Sequence, residues 1–451
     1  MTKAIYFANI VLALDHFKGS VVEPGTVTSA IMVLTGCGLC FHVPRLSNTI
    51  RWKALTRPTS TLARSKFTSF FFHNEQWVKN TKLRETIPLR PITHAIPIIP
   101  SNASHPSLAA SRPADALTPR HLLKLYAQLS KPRFSILIVL TAMCGVALSP
   151  VPTTIPTLLS TAIGTALCSA SAHTLNQLQE IPFDAQMART RMRPLVRRAI
   201  SSLHATGFAL ATGIAGPAIL WTMVNPTTAV LGATNIALYA GLYTWLKRRS
   251  VLNTWVGSVV GAIPPLMGWT AGGGRLFPSS TYPVEFFLPP FLTSTPPDLS
   301  LIDNPLAPFA FVMLLFSWQF PHFNSLSYVV RSSYAQAGYQ MLSVLSPARN
   351  ALVAWRHAVL LVPICSVLVP LSGLTTWTFA LTALIPNAVC VRAAWRFWRG
   401  GGEKQARAVF QHSLWYLPVI MGLMMVHKQG VDWLQWMGLK DDELDKTAVV
   451  Q

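Results

Sequence analysis

From Phe134 onward the chain alternates between apolar runs of about 20 residues and short polar breaks, each run long enough to cross a hydrocarbon core of about 30 Å as a helix. Nine such runs occur, near residues 134–151, 155–178, 200–223, 227–246, 252–271, 305–328, 355–371, 375–396 and 408–427. A helix satisfies its backbone within one segment, so the pattern predicts an all-α polytopic membrane protein with about nine transmembrane helices. The breaks differ in charge as well as length. Those after the second, fourth, sixth and eighth runs, together with the run ends that border them, hold sixteen Lys and Arg between Arg189 and Arg407, whereas those after the first, third, fifth and seventh runs hold only Arg275. Such asymmetry orients membrane proteins, and it predicts that the basic breaks and the segment before Phe134 share one side, cytoplasmic or matrix. The long break over residues 272–304, rich in Pro, Gly and Ser, falls on the opposite side and reads as an insertion without a chemical role.

The N-terminal third has a different pattern. Residues 1–120 carry 14 Lys and Arg against five Asp and Glu, and the stretch from Arg45 to Arg90 is basic and hydroxylated, as in an organellar transit region. Ala4 to Leu14 and Val27 to Val43 are apolar but short for a span, and Pro91 to Pro113 reads as a disordered Pro/Ser linker. The predicted organisation is therefore a targeting and linker region over 1–120, a transmembrane domain over 121–430 and a polar tail over 431–451.

Composition supports the membrane class, with 51% hydrophobic and 12% charged residues in 451. The net charge of +21 does not point to nucleic acid. The basic residues lie in the N-terminal third and in the breaks, without a basic face interleaved with aromatics. Cys144, Cys168, Cys365 and Cys390 lie inside apolar runs as small hydrophobes. Cys37 and Cys40 form a lone C-x-x-C, a weak redox or metal signal without a second pair.

The candidate chemistry is concentrated at the end of the second run, in Asn176-Gln-Leu-Gln-Glu180-Ile-Pro-Phe-Asp184, followed by Arg189, Arg191, Arg193, Arg197 and Arg198. Six carboxylates occur between Lys131 and Gly430, and Glu180 and Asp184 are the two at the mouth of an apolar segment. Asn176, Glu180 and Asp184 fall at i, i+4 and i+8, which stacks three oxygen-bearing side chains on one helical face. That face suits a hard cation such as Mg²⁺, which is commonly shared with substrate phosphates that the arginines bind as forks. Pro182 predicts a kink or end of the helix between Leu178 and Ile181. A solvated, orientation-setting loop is the competing interpretation of the same residue types.

Several stretches together resemble the UbiA superfamily of intramembrane prenyltransferases, and within it the heme-farnesylating branch. They are Leu129-Ser-Lys131-Pro-Arg133; the Asn176 to Leu195 motif; Tyr243-Thr-x-Leu-Lys247-Arg248 with Asn253-Thr-Trp-Val-Gly257; Gly261-Ala-Ile-Pro-Pro265-x2-Gly268-Trp269; and Trp318-Gln-Phe-Pro-His322-Phe-Asn324-x-Leu-Ser327. The resemblance implies a bundle around a central cavity, Mg²⁺-bound farnesyl diphosphate at the loop side and heme B as acceptor. On that basis Asn176, Glu180 and Asp184 are catalytic and hold Mg²⁺, while Arg189, Arg193, Lys247 and Arg248 bind diphosphate. His322, with Trp318 and Asn324, is the candidate for contacting heme, the alternative being a histidine that packs the cavity wall; His173 is expected to be structural. The implied setting is the mitochondrial inner membrane, multi-pass, with site loops facing the matrix. Membrane lipid, a downstream heme A synthase and a homo-oligomeric state are its expected partners. One departure stands out: an acidic residue precedes the tyrosine of Tyr334-x3-Gly338-x2-Met341 in the family, and here that position is Ser333. A phenolic acceptor, or a transporter, which internal repeats would mark, is the competing functional class.

Overall fold

The structure is a computed structural model that describes residues 118–280, 282–293 and 303–431. The expected transit region up to residue 117, the Cys37-x-x-Cys40 pair and the tail after Val431 lie outside the described residues. Among those described, the architecture is helical, with one isolated β-bridge between Thr375 and Lys428.

The first helices are α1 (Pro119–Ser130) and α2 (Pro132–Leu148), bent by 58° about Lys131. Lys131 adopts a left-handed φ of 49°, and Pro132 takes the first position of α2, where its missing N–H is not needed. Then come α3 (Ile155–Asp184), α4 (Ser202–Met223), α5 (Pro226–Leu246) and α6 (Asn253–Ala271). The second half contains α7 (Leu306–Val329), the short α8 (Arg331–Gln336) and α9 (Leu342–Leu345), then α10 (Pro347–Leu371), α11 (Thr378–Gly400) and α12 (Glu403–Val426).

Each of the nine apolar runs is thus helical. Seven are long and apolar enough to cross a membrane, or eight if α1 and α2 form one broken span. Three boundaries move outward from the expected ones. α10 begins at Pro347, α11 continues to Gly400 and α12 begins at Glu403, so Arg349, Arg399, Lys404 and Arg407, which fall in the expected breaks, are helical. Long basic side chains at helix ends keep their charge in water while the stems lie along apolar surface, so the helix need not stop where the charge starts.

Of the kink or end expected at Pro182, the end between Leu178 and Ile181 does not occur. α3 runs through Pro182 and ends at Asp184. A proline this close to the C-terminus forfeits one intrahelical bond, and the helix closes behind it, with Ala185 N donating to Ile181 O at 3.2 Å.

Packing joins consecutive helices, and the largest crossings between helices distant in sequence are α2 on α6 and α7 on α12. The first is unusually close. A Cβ on Gly268 would sit 1.8 Å from Ala142 O, and one on Gly145 would sit 2.2 Å from Pro265 O, so the two helices meet backbone to backbone through glycine. The second crossing lies in the main core, where Phe311, Leu314, Tyr416 and Ile420 are fully buried. In the 272–304 insertion, Arg275 pairs with Asp303 at 3.4 Å and Phe287 N donates to Leu371 O at 2.9 Å, which fastens it to the end of the bundle away from Asp184.

Candidate active site

Asn176, Glu180 and Asp184 occupy one face of α3 and are 1%, 5% and 1% exposed. Buried charges must be paired, and these are. Lys247, just after α5, donates from Nζ to Glu180 Oε1 at 2.7 Å, and Arg193 Nη1 donates to Asp184 Oδ2 and lies 3.9 Å from Glu180 Oε2. Burial works against the Lys247 charge, but Glu180 outweighs it and holds the ammonium above its ordinary range. The Lys247 ammonium is therefore cationic at neutral pH, and both basic groups are already aimed at the acidic face.

Local structure sets this register. The last turns of α5 form a π-helical stretch over Ala237–Tyr243, which rotates Thr244 and Lys247 relative to an ideal helix. Gln179 Nε2 donates to Ala240 O at 2.8 Å within that stretch. Thr244 Oγ1 donates to Tyr239 O at 2.8 Å, so it can only accept from the Asn176 amide, whose Nδ2 reaches it at 3.1 Å. That bond fixes the amide with its nitrogen on Thr244 and its oxygen available as a ligand. The Lys247 ammonium also lies 4.6 Å from the centre of the Tyr243 ring. On the other side, Thr190 Oγ1 donates to Asp184 O at 3.0 Å, folding the arginine-bearing loop back over the end of α3.

The chemistry of this donor set fits Mg²⁺. Asp184 Oδ1 is buried without a hydrogen-bond partner, an orphaned anionic oxygen beside the Asn176 and Glu180 oxygens. Among the described residues no group of three His, Cys, Asp or Glu gathers where it could hold a metal ion, so the donor set here is limited to two carboxylates and an amide. Two carboxylates and an amide suit a hard cation that completes its shell with water and substrate phosphate.

The remaining expected residues are distributed unequally. Arg248 stacks on Phe183 with its guanidinium 4.6 Å from the ring centre, and Arg189 is exposed on the loop surface. Trp318, His322 and Asn324 lie outside the carboxylate cluster. Trp318 Nε1 donates to Ser413 O at 3.0 Å, and His322 stacks on Trp318 with centroids 4.8 Å apart. Asn324 is clasped to α10, exchanging side-chain to backbone hydrogen bonds with Asn350 at 3.2 and 2.9 Å. His322 Nδ1 meets Ser413 Oγ at 2.9 Å, and that hydroxyl gives its single proton to Phe410 O at 2.6 Å. Ser413 therefore accepts from His322, which assigns the neutral imidazole a proton on Nδ1 and a lone pair on Nε2. His173 is 2% exposed with both ring nitrogens unpartnered, packed edge-on against Phe134 and Tyr239.

Sequence reasoning assigned no role to Thr244, Asn253 or Gln340, which hold the site together. Gln340 N donates to Lys247 O at 2.8 Å, and Asn253 Nδ2 donates to Gln340 O at 3.1 Å, tying the loop after α7 to the loop after α5. Thr244 and Asn253 lie inside quoted motifs, so their neighbourhood was visible and their contacts were not. Lys131 is likewise in the electrostatic field of Arg193, Lys247, Glu180 and Asp184, at the hinge between α1 and α2.

Fold and site together define a polytopic α-helical membrane protein with a buried acidic face at one end of the bundle, ringed by cations from neighbouring loops. Comparison with known proteins gives this class a family. The chain belongs to the UbiA prenyltransferase family, which it matches over residues 138–415. It is 45% identical to a protein of Neurospora crassa named "Protoheme IX farnesyltransferase, mitochondrial", over 72% of this chain and 64% of that one. Proteins of the same name from Yarrowia lipolytica and Homo sapiens are each 42% identical, over 71% and 68% of this chain and 65% and 62% of theirs. The chain thus spans less than two thirds of the length of these relatives. Among solved structures, a digeranylgeranylglyceryl phosphate synthase shares the fold, with a TM-score of 0.51 at 15% identity, covering 68% of this chain and 98% of that chain.

Proposed function

We propose that the protein transfers the farnesyl group of farnesyl diphosphate to a vinyl group of protoheme IX, giving heme O. The observation that carries the donor half is the orphaned Asp184 Oδ1 on a buried face whose other carboxylate oxygens are met by Lys247 and Arg193. The acceptor half rests on the likeness to relatives named for protoheme IX.

In this mechanism Asn176, Glu180 and Asp184 hold Mg²⁺, which when bound supplies positive charge to the diphosphate. Lys247 and Arg193, already cationic and aimed at the face, bind the diphosphate together with Arg189 and Arg248 from the loop surface. The allylic C1–O bond breaks, its electron pair leaves with the diphosphate, and these cations stabilise the departing charge. The vinyl terminus of the acceptor then bonds to C1, and the cation this leaves on the adjacent carbon is quenched by water, which loses a proton and leaves a hydroxyl on that carbon. Apolar and aromatic side chains around the bundle interior exclude water from the allylic cation. His322 is the proposed contact of the acceptor: its Nδ1 is held by Ser413, and Nε2 offers a lone pair to heme iron, the arrangement in which a second hydrogen bond orients a ligating imidazole. The expected setting is the mitochondrial inner membrane with the polar mouth toward the matrix, where a heme A synthase takes the product. A homo-oligomer is also expected there.

Membranes containing the protein, incubated with heme B, farnesyl diphosphate and Mg²⁺, are expected to yield a heme heavier by a farnesyl group plus a hydroxyl, resolved by chromatography and mass. A prenylated phenolic acid in parallel incubations, with heme B unchanged, overturns the acceptor assignment.

A further inference from the structure

The loop after α7 carries a hydroxyl that the mechanism above does not use. Tyr339 lies between α8 and α9 and is 4% exposed. Its ring is held among Phe183, Tyr334, Met187 and Met341, with centroids 5.7 Å from Phe183 and 5.8 Å from Tyr334. The hydroxyl at the end of that fixed ring is buried without a hydrogen-bond partner. Polar atoms in such positions ordinarily find a partner, so this one calls for a specific reason.

Its surroundings supply one. The ring packs against Phe183 and Met187, which flank Asp184 in the chain, so the phenol lies at the acidic end of α3. A tyrosine hydroxyl carries its proton at neutral pH and can donate it. The backbone beside it is not free to swing away, because Gln340 N donates to Lys247 O at 2.8 Å and Gln340 O accepts from Asn253 at 3.1 Å. From Arg331 to Met341 the loop contains no Asp or Glu. A neutral phenol is therefore what this side of the site offers to an anion, with Lys247 and Arg193 on the others.

We propose that Tyr339 is a substrate-contacting residue, its hydroxyl donating a hydrogen bond to an oxygen of the donor's diphosphate. This rests on the prenyl-transfer function proposed above. As the C1–O bond breaks and the electron pair moves to the diphosphate, the phenol keeps its proton, and the hydrogen bond strengthens with the charge it meets. No proton is transferred by Tyr339.

The test uses the full chain in lipid nanodiscs, with Tyr339→Phe, which keeps the packed ring and removes only the oxygen. Binding of inorganic diphosphate in the presence of Mg²⁺ is measured by calorimetry beside farnesyl transfer and thermal unfolding. The expected result is an unchanged Tm, diphosphate affinity reduced about tenfold, the scale of a hydrogen bond to a charged group, and a kcat reduced by a similar factor. Tyr339→His, which keeps a ring N–H donor, is expected to recover part of the affinity. Parent-like diphosphate affinity and kcat in Tyr339→Phe overturn the proposal. So does a loss of affinity that accompanies a fall in Tm and is not relieved by Tyr339→His, which marks the hydroxyl as structural. A parent that binds diphosphate with Mg²⁺ but farnesylates no heme removes the acceptor assignment and leaves this contact standing.

Discussion

Replacing Lys247 by methionine removes an ammonium 2.7 Å from Glu180 Oε1 while keeping most of the stem, in a pair whose side chains are only 11% and 7% exposed. At that distance an effective dielectric of about 20 gives an attraction of roughly 6 kcal/mol, and breaking a buried pair by removing one partner ordinarily costs about 3–5 kcal/mol because the other charge is left uncompensated. Arg193, 3.9 Å from Glu180 Oε2, takes up part of that charge. The expected loss for Lys247→Met is therefore about 2–4 kcal/mol of stability. Adding Glu180→Gln removes the stranded charge, so the double variant is expected to regain most of that stability. It should still bind no diphosphate with parent affinity, because the cation itself is missing. The assay is a double-mutant cycle of unfolding in detergent, run beside binding of inorganic diphosphate with Mg²⁺. Two results refute the reasoning: a Lys247→Met protein as stable as the parent, or a double variant whose diphosphate affinity returns with its stability.

Asp184→Asn keeps the shape of the side chain and neutralises the orphaned oxygen; turnover is expected to fall at least a hundredfold while the protein stays inserted and folded, and Mg²⁺-dependent activity near the parent's removes Asp184 from the site. His322→Ala is expected to lose a histidine-type heme absorption band and heme affinity while diphosphate binding is retained; an unchanged heme spectrum assigns His322 to packing between α7 and α12. Gly268→Ala places a methyl 1.8 Å from Ala142 O, against backbone that cannot rotate aside, and is expected to lower stability by at least about 1–3 kcal/mol, the usual cost of overpacking. A Tm within a degree of the parent's contradicts the close α2–α6 crossing.

Much of this protein is dictated by one-dimensional patterns. Runs of about 20 apolar residues can satisfy their backbone in lipid only as helices, so nine elements and their approximate ends were legible before any packing was known. The i, i+4, i+8 spacing of Asn176, Glu180 and Asp184 put three oxygens on one face by helical geometry alone, and the structure keeps them there. Lys247 and Arg193 were legible as basic residues near an acidic face, although their pairing was not: Glu180 and Lys247 are 67 positions apart in the chain. What tertiary structure decided is what depends on two segments meeting. The π-helical turn in α5 meets α3 through the Gln179 and Asn176 amides, and those contacts between distant segments are encoded by no local propensity. α3 passes through Pro182 because its neighbours and the loop after it outweigh one lost hydrogen bond, so the local preference for a break is overridden. His322 and Asn324 stand two residues apart on α7, yet one bonds to α12 and the other to α10, since residues so spaced point to different sides of a helix and only the bundle determines which helix lies on each. Tyr339 is the clearest case: a tyrosine in a loop carries no signal by itself, and its hydroxyl acquires meaning only where three-dimensional closure buries it against carboxylates over 150 residues earlier in the chain.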